Sequence, residues 1–161
     1  MISQEQLETF SKDYQTTTDL ALKEFKFFGQ ELRKWTRDFT INIPKNPSFA
    51  DIQDLYIELD ELISVANNNM LYSYNMFCLC KRSLEEKQAY EYIKLTSDSS
   101  NKKTINSIEN HILYNLKEEN DIFVVSKYVY DFWVEILKML ERKQKLIENV
   151  SWNIKNSNGV L

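Results

Sequence analysis

The chain has 161 residues, 43% hydrophobic and 27% charged, with 24 carboxylates against 20 lysines and arginines and a net charge of −4. That length suits one domain or one elongated unit with enough apolar material for a core. The acidic balance argues against a generic polyanion binder, because non-specific nucleic-acid affinity is mostly electrostatic.

Only 2 Gly and 2 Pro occur, far below the usual shares of roughly 7% and 5%. Few turns can be built from so few breakers. The expected fold is all-α: three long helices and one shorter helix in an elongated hairpin or bundle with coiled-coil-like seams, oligomeric, forming a single helical unit over 1–161.

The first element is an N-terminal helix over 1–43. Ser3 with Gln6 resembles a capping box. Leu7, Phe10, Tyr14, Thr18, Ala21, Phe25, Phe28, Leu32, Trp35 and Phe39 then follow at steps of three or four, the period of one helix face. Gly29 is a tolerated weak point, costing about 1 kcal/mol relative to Ala. The aromatic second half (Phe25, Phe27, Phe28, Trp35, Phe39) has two readings: helix packing, and a stacking platform for single-stranded bases. Thr40–Pro47 is the clearest break, because the residue before each proline is pushed out of the helical region.

Ser48 with Asp51 caps a central helix over 48–96. Its seam is Ile52, Tyr56, Leu59, Ile63, Ala66, Met70, Phe77 and Leu84. With no Gly or Pro from Phe49 to Leu95, it would be about 70 Å long at ~1.5 Å per residue. A globule of this chain length has a radius of gyration of only ~15 Å. Such a helix needs a partner, from the same chain or from copies of itself. Asp51, Asp54, Glu58, Asp60 and Glu61 make its start acidic; Lys81, Arg82, Lys87 and Lys94 make its far end mildly basic. Asn67, Asn68 and Asn69 interrupt its middle as a solvent face, a kink or a polar layer.

Thr96–Asn101 is a polar loop, followed by Lys102 and Lys103. Ile105, Ile108, Ile112 and Leu116 mark a short helix over 104–119, with His111 a surface or boundary residue beside the stripe. Asn120 or Asp121 caps the last long helix, over 121–156. Its stripe is Ile122, Val125, Val129, Phe132, Ile136, Leu140, Ile147, Val150 and Ile154. A second basic cluster, Lys138, Arg142, Lys143 and Lys145, rides on it. A solvated helix face accounts for either basic cluster as well as a binding role does.

No apolar run reaches 18 residues, so no membrane span is expected. The amino terminus lacks a basic n-region and an apolar h-region. Cys78 and Cys80 lie two apart on a helix, poor geometry for a disulfide, so reduced thiols in a cytoplasmic protein are expected. Two glycines cannot build a phosphate-cradling loop. One histidine excludes most His-based triads and metal clusters. The adjacent carboxylates Glu85–Glu86 and Glu118–Glu119 point apart on a helix. The expectation is therefore no enzyme, no catalytic or metal-binding residue and no cofactor.

Two stretches carry a resemblance. One is Ala66-Asn67-Asn68-Asn69-Met70-Leu71-Tyr72-Ser73 in the central helix. The other is Leu140, Arg142, Ile147, Glu148, Asn149, Val150, Trp152 and Gly159, within LERKQKLIENVSWNIKNSNG. Together they resemble the recombination-mediator family of T-even-type phages typified by UvsY, over roughly Asp51 to Gly159. The first 47 residues have no clear counterpart. The resemblance implies a small helical homo-oligomer that binds single-stranded DNA, helps displace the single-strand-binding protein and loads a phage recombinase, in the host cytoplasm. It implies DNA contact near the end of the central helix, so the candidate DNA-binding residues are Lys81, Arg82, Lys87, Lys94, Lys102 and Lys103. Where the family carries its basic contact positions this chain has Asp98 and Ser100; Lys94, Lys102 and Lys103 are the neighbouring cations. The rival reading is a helical protein-interaction module, an assembly chaperone or inhibitor, with no nucleic-acid role.

Overall fold

A computed structural model describes residues 22–97 and 104–158. It is mostly helical. A short hairpin, β1 (Lys26–Phe27) and β2 (Gln30–Glu31), leads into α1 (Leu32–Asp38). Three further helices follow: α2 (Phe49–Ser97), α3 (Ile105–Asn115) and α4 (Lys117–Asn158). The residues group into two units, the first reaching to Ser64 and resuming at Glu135, the second being Val65–Val134. Each long helix contributes residues to both.

In the first unit, the helix expected over 1–43 is interrupted. Residues 1–21 lie outside the described residues. From Lys26 to Glu31 the chain is an antiparallel hairpin, with Lys26 opposite Glu31 and Phe27 opposite Gln30. The turn between them has positive φ at both central residues, 47° at Phe28 and 77° at Gly29, the signature of a type I′ hairpin turn. Gly29 is therefore not a weak point within a helix but the residue that admits a left-handed backbone. Phe25 and Phe27, two apart with a lysine between, have the period of a strand. Phe28, expected in the apolar seam, is instead 66% exposed at the tip. Helix resumes only for the seven residues of α1.

The hairpin is tied down from several sides. The Leu32 amide donates to the Phe25 carbonyl at 3.1 Å. The Trp35 indole N–H donates to the Phe27 carbonyl at 3.1 Å, and Gln30 Nε2 donates to Asp38 Oδ2 at 2.7 Å. The buried Phe27 ring meets Trp35 edge-on, centroids 6.2 Å apart. Leu32, Phe39 and Ile41 are buried, as are Ile52, Leu55 and Leu59 of α2 and Ile136, Leu140 and Ile147 of α4. Burying each such side chain fully stabilises the fold by about 1.5–3 kcal/mol.

At the start of α2, the Asp51 amide donates to Ser48 Oγ at 3.2 Å and the Ser48 amide donates to Asp51 Oδ2 at 2.7 Å. This reciprocal cap is the one the Ser48/Asp51 spacing predicts. The Ser48 hydrogen bonds hold the Asp51 carboxyl below its usual value.

In the second unit, Leu84 of α2 packs with Ile108 and Ile112 of α3 and with Leu116, Leu95 and Phe123 lying against the cluster. Phe77 of α2 stacks on Phe123 and Tyr130 of α4, centroids 5.6 and 5.9 Å apart. The α2 seam follows the expected period, with Ala66, Ser73 and Leu84 buried. Ser73 is its polar member and satisfies its hydroxyl by donating to the Asn69 carbonyl at 2.8 Å. Of the Asn triplet, Asn67 and Asn68 are exposed and Asn69 is half-buried. Asn69 Nδ2 is enclosed and has no hydrogen-bond partner among the described residues.

Thr104 starts α3, its hydroxyl accepting from the Ser107 amide at 3.4 Å. The short helix expected over 104–119 ends at Asn115, and the last helix starts at Lys117 rather than 121. Leu116 alone separates them, its amide still bonded to the Ile112 carbonyl at 2.9 Å. Its aliphatic side chain fills the Leu84 cluster at the break. Two positions of the expected apolar stripes, Ile105 and Ile122, are exposed. Trp133, rather than its neighbour Phe132, is the fully buried aromatic of α4.

Candidate nucleic-acid interface

The candidate cations of the α2 far end all carry a carboxylate partner. Lys81 pairs with Glu85 at 3.8 Å and Arg82 with Glu86 at 2.9 Å, one helical turn on. Lys94 pairs with Glu91 at 3.4 Å. Lys87 reaches across to Glu119 of α4 at 2.8 Å. Four cations thus face four glutamates, and this stretch has no local positive charge to spare. The Lys81 and Arg82 pairs are exposed on both sides, so each contributes only about 0–1 kcal/mol and is readily exchanged; at Lys87 and Lys94 the cation is exposed and its glutamate half-buried. The Lys87 hydrogen bond lowers the Glu119 carboxyl below its ordinary value. Lys102 and Lys103 lie outside the described residues.

The first unit is different. Among the described residues no ion pair engages Lys26, Arg33, Lys34 or Arg37. Over residues 22–48 six cations (Lys23, Lys26, Arg33, Lys34, Arg37, Lys45) stand against three carboxylates (Glu24, Glu31, Asp38), a local +3 in a chain of net −4. These cations fall in the same stretch of chain as the hairpin. A charge count over a sliding window would have found them; a search for cations on one long helix face passes over them.

On α4, Lys138 pairs with Glu135 at 2.7 Å. The Lys138 hydrogen bond, then the charges of Lys138 and Arg142, lower the Glu135 carboxyl below its usual value. Within the second resembling stretch Leu140 and Ile147 are buried, Arg142 and Trp152 are exposed, and Gly159 lies outside the described residues.

A second surface was not expected from the seam. Val65, Tyr72, Met76, Leu79, Tyr90 and Ile93 of α2 are all exposed. Their spacing of three, four, seven or eleven keeps them on one face, broken by Ser83 and Glu86. α2 therefore carries an apolar stripe besides the buried Ala66–Ser73–Leu84 seam of the same unit. An exposed apolar stripe of this kind marks an interaction surface more often than isolated exposed leucines do.

Among the described residues no group of three or more His, Cys, Asp or Glu converges as a metal site. Cys78 and Cys80 are free thiols. The Tyr74 hydroxyl is raised above its ordinary value chiefly by a hydrogen bond with Cys78. No described helix is long and apolar enough to cross a membrane. No family model, curated protein or solved structure matches the chain.

Proposed function

We propose that the protein is a non-catalytic recombination mediator: a homo-oligomer in the cytoplasm that binds single-stranded DNA and helps load a recombinase against single-strand-binding protein. Support comes from the two resembling stretches, Ala66–Ser73 and Leu140–Gly159. The observation that carries the DNA-binding part is the exposure of all four cations, Lys81, Arg82, Lys87 and Lys94, with the Lys81 and Arg82 pairs exposed on both sides. Phosphates can take the place of glutamates in pairs worth so little. Weak sites of this kind gain strength when several subunits engage one strand together, which reconciles a net-acidic protomer with a polyanionic ligand.

The exposed α2 stripe favours a second reading, a helical protein-interaction module without a nucleic-acid role. A fluorescence titration with a labelled single-stranded oligonucleotide at low and moderate salt separates the two. The mediator reading expects binding that weakens steeply as salt rises. No binding at micromolar protein and low salt refutes it and leaves the interaction module. Replacing Lys94, Lys102 and Lys103 together by Ala should lower affinity and flatten the salt dependence; unchanged affinity and slope remove these lysines from the site.

A further inference from the structure

We propose that the groove between α2 and α3 of the second unit docks a short amphipathic helix of a partner protein, one that carries lysine or arginine beside its apolar face. The proposal goes beyond the single-strand-binding reading and uses none of its cations.

The groove has a volume of about 560 Å³. Glu85, Ala89 and Tyr92 of α2 form one wall, and Glu109, Ile112 and Leu113 of α3 form the other. Each set recurs at steps of three or four, so each lies on one face of its helix. The core between the two helices is complete without this surface. Leu84 already packs with Ile108, Ile112 and Leu116, while Leu113 is left 60% exposed and Tyr92 45% exposed. They are apolar surface beside a finished core.

The form of the occupant follows from the walls. Both are helical, so their amides and carbonyls are engaged within α2 and α3 and offer no edge to an extended peptide. A third helix needs no such edge. It satisfies its own backbone and lays an apolar face between two others. From Glu85 to Tyr92 the wall is roughly 10 Å long at ~1.5 Å per residue, which matches about two turns of an incoming helix.

The charge of the occupant follows from the rim. One exposed glutamate stands on each wall, and no cation lines the groove. Glu85 is held by Lys81 at 3.8 Å, the longest of the ion pairs among the described residues, and no ion pair among them engages Glu109. Complementary charge selects the partner, so this rim favours lysine or arginine and repels phosphate and anionic lipid. The stretches outside the described residues do not supply such a helix. Residues 1–21 carry four carboxylates against one lysine, residues 98–103 have no apolar side chain, and residues 159–161 have no cationic one. The helix therefore comes from a partner.

The test uses the full chain and a fluorescein-labelled peptide of about 15 residues, long enough for an isolated helix. The peptide has leucines at helical spacing and lysines elsewhere; its counterpart has glutamates in place of the lysines. Fluorescence anisotropy should show micromolar binding of the lysine peptide and none of the glutamate peptide. E85Q/E109Q should weaken the lysine peptide about tenfold, as expected for two exposed charge pairs. Leu113→Ser should also weaken it about tenfold, through lost apolar burial. These side chains are exposed, so circular dichroism should show unchanged helix content. E85K/E109K should reverse the preference, binding the glutamate peptide instead. E58Q/E61Q, which removes the same charge at the start of α2, should bind as wild type does. An equal loss in E58Q/E61Q would make the attraction a property of net charge and overturn the proposal. No binding to wild type, or wild-type affinity in E85Q/E109Q, also overturns it. A lower mass in solution for E85K/E109K would make a second copy of this chain the occupant, and overturns it too.

Discussion

Replacing Gly29 by Ala separates backbone strain from packing. An added Cβ would meet nothing within 4 Å, yet φ is +77°. No clash contributes, so the cost is conformational. A left-handed backbone costs an L-residue about 1–2 kcal/mol. Alanine recovers part of it, about 0.4–1 kcal/mol, by restricting the unfolded chain. The net loss is about 1 kcal/mol, or roughly a fivefold larger population of opened hairpin. Native-state hydrogen exchange at the Leu32 amide reads that opening, because this amide donates to the Phe25 carbonyl across the hairpin. Exchange should speed about fivefold, while amides around Leu84 keep their rates. Unchanged or slower exchange at Leu32 would refute the positive-φ turn. A loss well above ~3 kcal/mol would show that the open space beside Gly29 is filled in solution, by a ligand or by another chain.

Leu84→Ala should cost about 2–4 kcal/mol, because it opens a cavity beneath Ile108, Ile112 and Leu116; a thermal melt followed by circular dichroism should drop by about 5–15 °C. Glu119 has a lowered folded pKa, so its contribution is present above the unfolded value and is lost as pH falls through the folded one. Stability measured by urea midpoint should therefore decline below about pH 4.5, and Glu119→Gln should flatten that part of the profile; an identical decline in the variant removes the Lys87–Glu119 pair as its cause. Leu79→Glu on the exposed α2 stripe should lower the mass measured in solution without lowering helix content; an unchanged mass assigns the stripe no part in assembly.

The long helices were legible because their signal is local and repetitive. A chain with almost no breakers, apolar steps of three and four, and a Ser48/Asp51 cap leaves little alternative to α2, whose observed span differs from the expected one by a residue at each end. The free thiols and the exposed His111 followed from composition in the same way. The hairpin was not legible by that route. Phe25, Phe28, Leu32 and Trp35 satisfy a helical period, and Phe25 with Phe27 satisfies a strand period. A short run of aromatics fits either, and Gly29 is compatible with both. What decides is the set of longer-range links: the Trp35 indole on the Phe27 carbonyl and Gln30 on Asp38, each eight residues apart.

The candidate site divides along the same line. Pairing of Lys81 with Glu85 and of Arg82 with Glu86 is written into an i, i+4 spacing. Pairing of Lys87 with Glu119, 32 positions away, requires two helices to be brought side by side. Periodicity, capping and composition determined by themselves that this chain forms long helices, because those are properties of neighbours along the chain. Tertiary structure decided which cations are neutralised and which apolar stripe is covered. It also decided that Phe27 is buried while its neighbour Phe28 is not, because burial and ion pairing depend on what arrives from elsewhere in the sequence.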